Sequence, residues 1–590
     1  MGGLAAVQLW RRLGRGLTFG MGLGLCLLAA AGTPAAADRS PVLSPTEAWA
    51  TTGENARVPS GREFFGDAPY SGSDSCKSCH ATQYQSWRAS WHSKMERWPA
   101  PDTVLGDFRQ RRMQLRNLRV RSADGKEARI SPTALAYSEG GRYYFTLIDQ
   151  DNSAQNQTFE VAKVLGGKWD QGYEIRLGKD NYLPAPIRWS VLQNDWIVGG
   201  FNPQDWFVAD GTPDGRPLTA AELPRGRVAE AKCNGCHTTG YRYAKGDDGV
   251  WKARMHGQGE IGVACESCHG PASRHVDEAH AAKAAGRTLV AGRTAIVNPL
   301  RDLNAEQATQ VCGQCHGRGT HKQEPALAFP TGFLPGDTDL LSRFRLWSFS
   351  GTNNADEAAY FWRNDWAARN RQQYQDFTRS GHHAKGGMSC LSCHALHGST
   401  VPAQLRQPPE KLCIDCHRAD GVAMRPNAEM FAGSAKEQAG MTCVDCHMPR
   451  IGSRSRATAS AGHQWDATSH VFAVATPLLE QTLGVRSACV SCHDDAQARS
   501  PGQPSVQQQL IDDMRRQAGE VLRGITGTQA LLVRADLRRP GVETLVLQAR
   551  SRLEFVRADN SKGAHNIGRT RQLLREANEF AALALALPQR

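Results

Sequence analysis

Cys390-Leu391-Ser392-Cys393-His394, followed after 18 residues by Cys413-Ile414-Asp415-Cys416-His417, is the stretch that decides how this chain must fold. Two thiols three positions apart lie on one side of a single turn, with a histidine directly after them. In this arrangement each cysteine adds to a different vinyl group of one porphyrin, and the adjacent imidazole takes the iron. Eighteen residues cannot bury an independent core. Porphyrins held this closely must pack on one another and make up much of the core themselves.

Outward from that stretch the pattern repeats. Cys76, Cys79 and His80 form the first copy, Cys233, Cys236 and His237 the second, Cys265, Cys268 and His269 the third, and Cys312, Cys315 and His316 the fourth. The pair quoted above is the fifth and sixth. Cys443, Cys446 and His447 form the seventh, and Cys489, Cys492 and His493 the eighth. Of 17 cysteines only Cys26 stands outside a motif. Composition alone would give roughly 0.02 such motifs. A disulfide framework needs no histidine after every second cysteine. Zinc ribbons pair their C-x-x-C units without an obligatory adjacent histidine, and thioredoxin-like motifs occur once per domain. Eight covalently bound haem c groups are the expected cofactor.

Nineteen histidines are present and eight belong to the motifs. The other eleven are candidates for the opposite face of each iron. His92, His275 and His397 follow motifs closely. One of the adjacent His382 and His383 is expected to bind, taken as His382, and of His463 and His470 the choice is His470. His565 stands in a turn between helical segments. His256 and His321 are weaker, and His280 reads as a surface residue. A mostly bis-histidine set predicts low potentials.

Residues 1–37 read as a signal peptide. Arg11, Arg12 and Arg15 make a basic start, Leu17–Ala31 is apolar, and Ala35-Ala36-Ala37 offers a cleavage site, so a periplasmic location is expected. No later run is apolar for long enough to span a bilayer. The formal charge of +12 falls to +9 without the leader, and its basic residues are scattered, which argues against nucleic acid.

Residues 38–100 read as an arm with the first haem site, and 101–230 as a β-rich insertion. In the insertion Leu135–Tyr137 and Arg142–Ile148 flank a Gly-Gly turn, with further alternating runs at Thr158–Leu165 and Tyr173–Leu177. Residues 231–495 form the haem-dense part, expected as short helices and loops. From 496 to 590 apolar residues recur at helical period through Leu510, Met514, Val521 and Ile525, then Val542, Leu545, Ala549, Leu553 and Val556. Pro540-Gly541 separates the first two helices of a C-terminal bundle, a candidate dimerisation element. The expected fold class is mainly α, haem-packed, with little regular structure beyond these parts.

Residues 74–95, Ile261–His275, 387–397 and Cys443–Pro449 resemble the signatures of the cytochrome c-552/c-554 type of multihaem cytochrome. The resemblance implies distal ligation by His92, His275 and His397. The helical tail with His565 is similar to the helices that end multihaem nitrite reductases and related octahaem enzymes. The C-x-x-C-K motif that carries the active haem of ammonia-forming nitrite reductases does not occur here. Three functions fit these residues. The first is an electron carrier serving redox partners such as quinol-oxidising or other cytochromes. The second is an octahaem oxidoreductase with one open iron for a small inorganic nitrogen or sulfur compound. The third is a polymeric conduit.

Overall fold

The 152 residues between His80 and Cys233 carry no attachment motif and supply most of a side-chain core that Cys236, Trp251, Leu327 and Phe329 complete. The computed structural model describes residues 60–588, apart from 123, 180, 200–202, 291–293, 454–466 and 494–504. The expected signal peptide, the expected arm up to residue 59 and His463 lie outside the described residues. Here an antiparallel sheet of nine strands runs in the order Asp195–Val198, Ile187–Ser190, Asp170–Arg176, Gln157–Gly166, Arg142–Ile148, Thr133–Glu139 and Arg111–Gln114. Glu96–Arg97 adds to Gln157–Gly166, and Tyr182–Pro184 to Asp170–Arg176. Gly140 and Gly141 turn the central hairpin with φ of 57° and 77°, a conformation that side chains with a Cβ resist, and Tyr137 and Tyr144 stack across it. Phe108 sits edge-on to Tyr143, Tyr173 and Trp196 at the heart of the core.

The chain is therefore not mainly α: helix makes up 38% and strand 20%. Two physical causes explain the difference. Asp170–Arg176 is buried along nearly its whole length, so it lacks the alternation that marks a half-exposed strand. A long hairpin, Thr238–Lys245 with Trp251–Ile261, also fills the interval between the second and third motifs, where short helices and loops were expected.

Past the eighth motif three helices follow among the described residues: Val506–Leu532, Val542–Asp559 and Ile567–Ala586. Ser505 and Asn566 cap the first and third with side-chain hydrogen bonds. Val521, Leu553, Val556, Leu573 and Ala577 close on one another and on Met430, which fixes the bundle to the sixth and seventh motifs. Among the described residues no helix is long and apolar enough to cross a membrane.

Candidate haem-binding cavity

The motif-bearing part has a different interior. It encloses a cavity of about 3250 Å³ lined by thiols or imidazoles from the second to the eighth motifs. A single small-molecule site takes about 300–1,000 Å³. The first motif lies outside this cavity, with Cys79 and His80 exposed.

Local structure sets each motif. Asn304 and Gln307 form a capping box on the helix Ala305–His316, whose last turn carries the fourth motif. Thr442 with Asp445 and Ser389 with Ser392 do the same for the seventh and fifth. Buried Glu266 accepts hydrogen bonds from the backbone N–H of Ser71 (2.9 Å) and Gly72 (2.8 Å), and Glu260 accepts from Ser73 (2.8 Å). These bonds bring the first motif against the third.

Thiols of different motifs then meet. Cys76 lies beside Cys265, Cys236 beside Cys315, Cys312 beside Cys390, and Cys413 beside Cys443, all as free thiols. Cys268 neighbours Cys312, Cys393 neighbours Cys416, and Cys446 neighbours Cys489. The motifs thus run in space as first, third, fourth, fifth, sixth, seventh and eighth, with the second branching from the fourth.

Imidazoles from distant segments face the motif histidines. Ring centroids lie 6.4 Å apart for His80 and His275, 6.3 Å for His316 and His92, and 6.3 Å for His269 and His397. His417 and His382 are 5.8 Å apart, and His447 and His565 6.0 Å. Two imidazoles on opposite sides of one metal, each bonded at about 2 Å, bring their centroids to roughly 6 Å. His470 lies near His394, which acts on it more strongly than any other charged group. Burial holds His92, His237, His269, His382 and His470 down to about 4, so these rings are neutral and free to donate a lone pair at neutral pH.

The outward nitrogens are also engaged, which fixes the tautomer. His237 Nδ1 donates to the Met95 carbonyl (3.2 Å), His269 to Val297 (2.7 Å), His394 to Ala403 (3.1 Å) and His470 to Thr468 (3.1 Å). His383 spends both nitrogens elsewhere, on the Met388 carbonyl (3.1 Å) and on Glu306 (3.0 Å). His256 bonds Arg242, His321 accepts from the Glu324 N–H, and His280 is exposed on the helix Ser273–Ala284. Cavity, thiol spacing and opposed neutral imidazoles all fit covalent haem.

Two motif histidines have no imidazole opposite them among the described residues: His237 and His493. Around the second motif the surroundings are charged. Arg371 and Arg188 act on His237, and Arg371 and Arg318 act on Cys236. Arg318 lies over the Tyr360 ring at 4.1 Å, and burial with Arg371 beside it lowers it to about 9. The Nε groups of Arg318 and Arg371 are buried without a hydrogen-bond partner. Such a pair calls for an anion. Sequence reasoning missed both arginines: Arg318 follows the fourth motif by two residues but acts at the second, and Arg371 has no motif near it in the chain.

Three family models match parts of the chain. Cytochrome c552 covers residues 421–589, a doubled CXXCH motif 382–422, and cytochrome c554 and c-prime 75–110 and 219–270. No curated protein sequence matches the chain. Among solved structures, the outer cell wall cytochrome OcwA is 21% identical, with 87% of this chain and 99% of that one covered and a TM-score of 0.57. The undecaheme cytochrome from the S-layer of Carboxydothermus ferrireducens is 16% identical, covering 89% and 70%, with a TM-score of 0.45. The Wolinella succinogenes octaheme sulfite reductase MccA is 15% identical, covering 90% and 85%, with a TM-score of 0.41. OcwA speaks for the fold alone. The last two superpose too loosely to add to it. The motifs, the family models and the fold agree that this is a multihaem c-type cytochrome.

Proposed function

We propose that the chain is an exported, periplasmic octahaem cytochrome that passes electrons between redox proteins through mostly bis-histidine haems. The observation that carries this reading is the series of opposed imidazoles, one pair after another along touching motifs. Haem iron supplies one-electron exchange; the protein's part is to hold the groups close, dry and in one ligand geometry. His80 with His275, His316 with His92, His269 with His397, His394 with His470, His417 with His382 and His447 with His565 are the six pairs that would hold iron. Low potentials, spread by local burial and charge, follow from imidazole on both faces. Intact mass of the exported protein tests the count: eight haems and a start after Ala37 are expected, whereas seven or a retained leader would overturn that part.

A second reading is favoured by one specific observation. Two motif histidines lack a described partner, and His463 can serve only one of them. At least one iron is then open to a small ligand. The second motif is the better choice, because Arg371 and Arg318 flank it and it branches from the line of motifs. An open iron there would take a small nitrogen or sulfur anion, with electrons delivered through the fourth motif. Haem propionates are the competing partners of the two arginines. Optical titration with sulfite, nitrite or cyanide separates the cases. A saturable shift weakened in Arg371→Gln supports an open second site, and no shift with any ligand leaves electron transfer alone.

A further inference from the structure

Of the axial imidazoles described above, His565 alone rests its Nδ1 on a carboxylate. It donates to Asp559 Oδ1 at 2.5 Å, and the Asp559 side chain is 1% exposed. The same oxygen accepts from Asn427 Nδ2 at 3.1 Å, and Asn427 also donates to the Asp559 carbonyl at 2.9 Å. The carbonyl end of the Asn427 amide in turn accepts from His417 Nδ1 at 3.2 Å. Ser561 holds the second carboxylate oxygen. His417 belongs to the sixth motif and His565 faces His447 of the seventh, and the two motifs touch through Cys413 and Cys443. One unbroken line of hydrogen bonds therefore joins an imidazole at the sixth motif to one at the seventh: His417, Asn427, Asp559, His565.

We propose that Asp559 is a positioning residue shared by two neighbouring haems, and that through Asn427 it sets their potentials jointly and makes them the low-potential step of the line. This rests on the reading that His417 and His565 bind iron. An imidazole donating to a carboxylate is a stronger electron donor than one donating to a carbonyl, and it stabilises ferric iron. Buried negative charge acts in the same direction. His417 feels a weakened version, because the amide of Asn427 is neutral and passes on only its polarisation. The bridge also makes the two effects oppose each other when it is cut. Without Asn427, His417 loses its acceptor and donates less, while Asp559 loses a donor and pulls harder on His565.

Redox titration of the holoprotein, followed by low-temperature EPR, tests this. His565→Ala and His382→Ala first assign the seventh and sixth signals by the low-spin species each removes. If His565→Ala removes no low-spin signal, the ligand reading itself fails. If it does, Asp559→Asn is expected to raise both potentials, the seventh by at least tenfold in the ratio of oxidised to reduced (59 mV for one electron) and the sixth by less. Should that variant fail to fold, Asn427→Leu, of similar shape, is expected to raise the sixth and lower the seventh. A merely structural role for the bridge would move neither, or would move both the same way. Unchanged potentials in a folded Asp559→Asn protein, or a same-sign shift in Asn427→Leu, would overturn the proposal.

Discussion

The sheet between Glu96 and Val198 and the motif-bearing part from Cys233 to His493 bury themselves by opposite means. In the sheet Phe145, Leu147 and Val164 are wholly buried among aromatic neighbours. In the motif-bearing part the apolar clusters are small, and the middle is a cavity lined by thiols and imidazoles. The first region buries mainly its own side chains, and its cluster continues into Cys236, Trp251, Leu327 and Phe329. The second depends on covalently attached groups to complete its interior, as a small core depends on a metal or disulfide. The motif intervals can be short because the missing core arrives with the cofactor.

The largest expected effect follows from that contrast. Protein made without haem attachment should lose slow hydrogen exchange throughout 233–493 and keep it in Thr133–Glu139, Arg142–Ile148 and Gln157–Gly166. Equal loss in both regions would break the comparison. Next in size, Phe145→Ala should cost about 3–5 kcal/mol of sheet stability in thermal unfolding, with the haem absorption of the native protein unchanged. A loss of haem absorption in step would show that the two interiors are one. A local effect comes third. His382→Ala should convert one haem to high spin, whereas His383→Ala should not, because His383 is tied to Glu306 and Met388.

Much of this was legible in the sequence, and the limits have physical causes. The attachment motifs follow from covalent spacing, and the strands Thr133–Glu139 and Arg142–Ile148 from alternation around Gly140-Gly141. The tail helices follow from their period. The partner of each histidine was not legible. His92 follows the first motif yet faces His316, and His275 follows the third yet faces His80. Those crossings are made by long-range bonds such as Val263 N–H to the His92 carbonyl (3.0 Å) and by the Glu266 bonds to Ser71 and Gly72. No local pattern records them. Asn427 and Asp559 stand 132 positions apart, so their bond has no signature either.

The smallest effect is electrostatic. Glu306 raises His383 above the usual histidine value, chiefly through their hydrogen bond, while its own carboxyl is lowered. A raised histidine contributes fully below its unfolded value of about 6.5 and ceases to contribute as pH rises through the folded value. The lowered carboxyl contributes above about 4.3 and loses its contribution as pH falls. Glu306→Gln should therefore cost roughly 0.2–1 kcal/mol near pH 6, and less at either extreme. An effect that grows into alkali would contradict that sign.

Low-temperature EPR of the fully oxidised holoprotein tests the central claim most directly, because two imidazoles on one iron would make it low-spin. The six proposed pairs predict that most of the iron is low-spin with bis-histidine signatures, and that any high-spin signal comes from a minority that responds to small ligands. Predominantly high-spin iron would mean that the facing imidazoles do not bind, and the account of a closely packed bis-histidine conductor would fall.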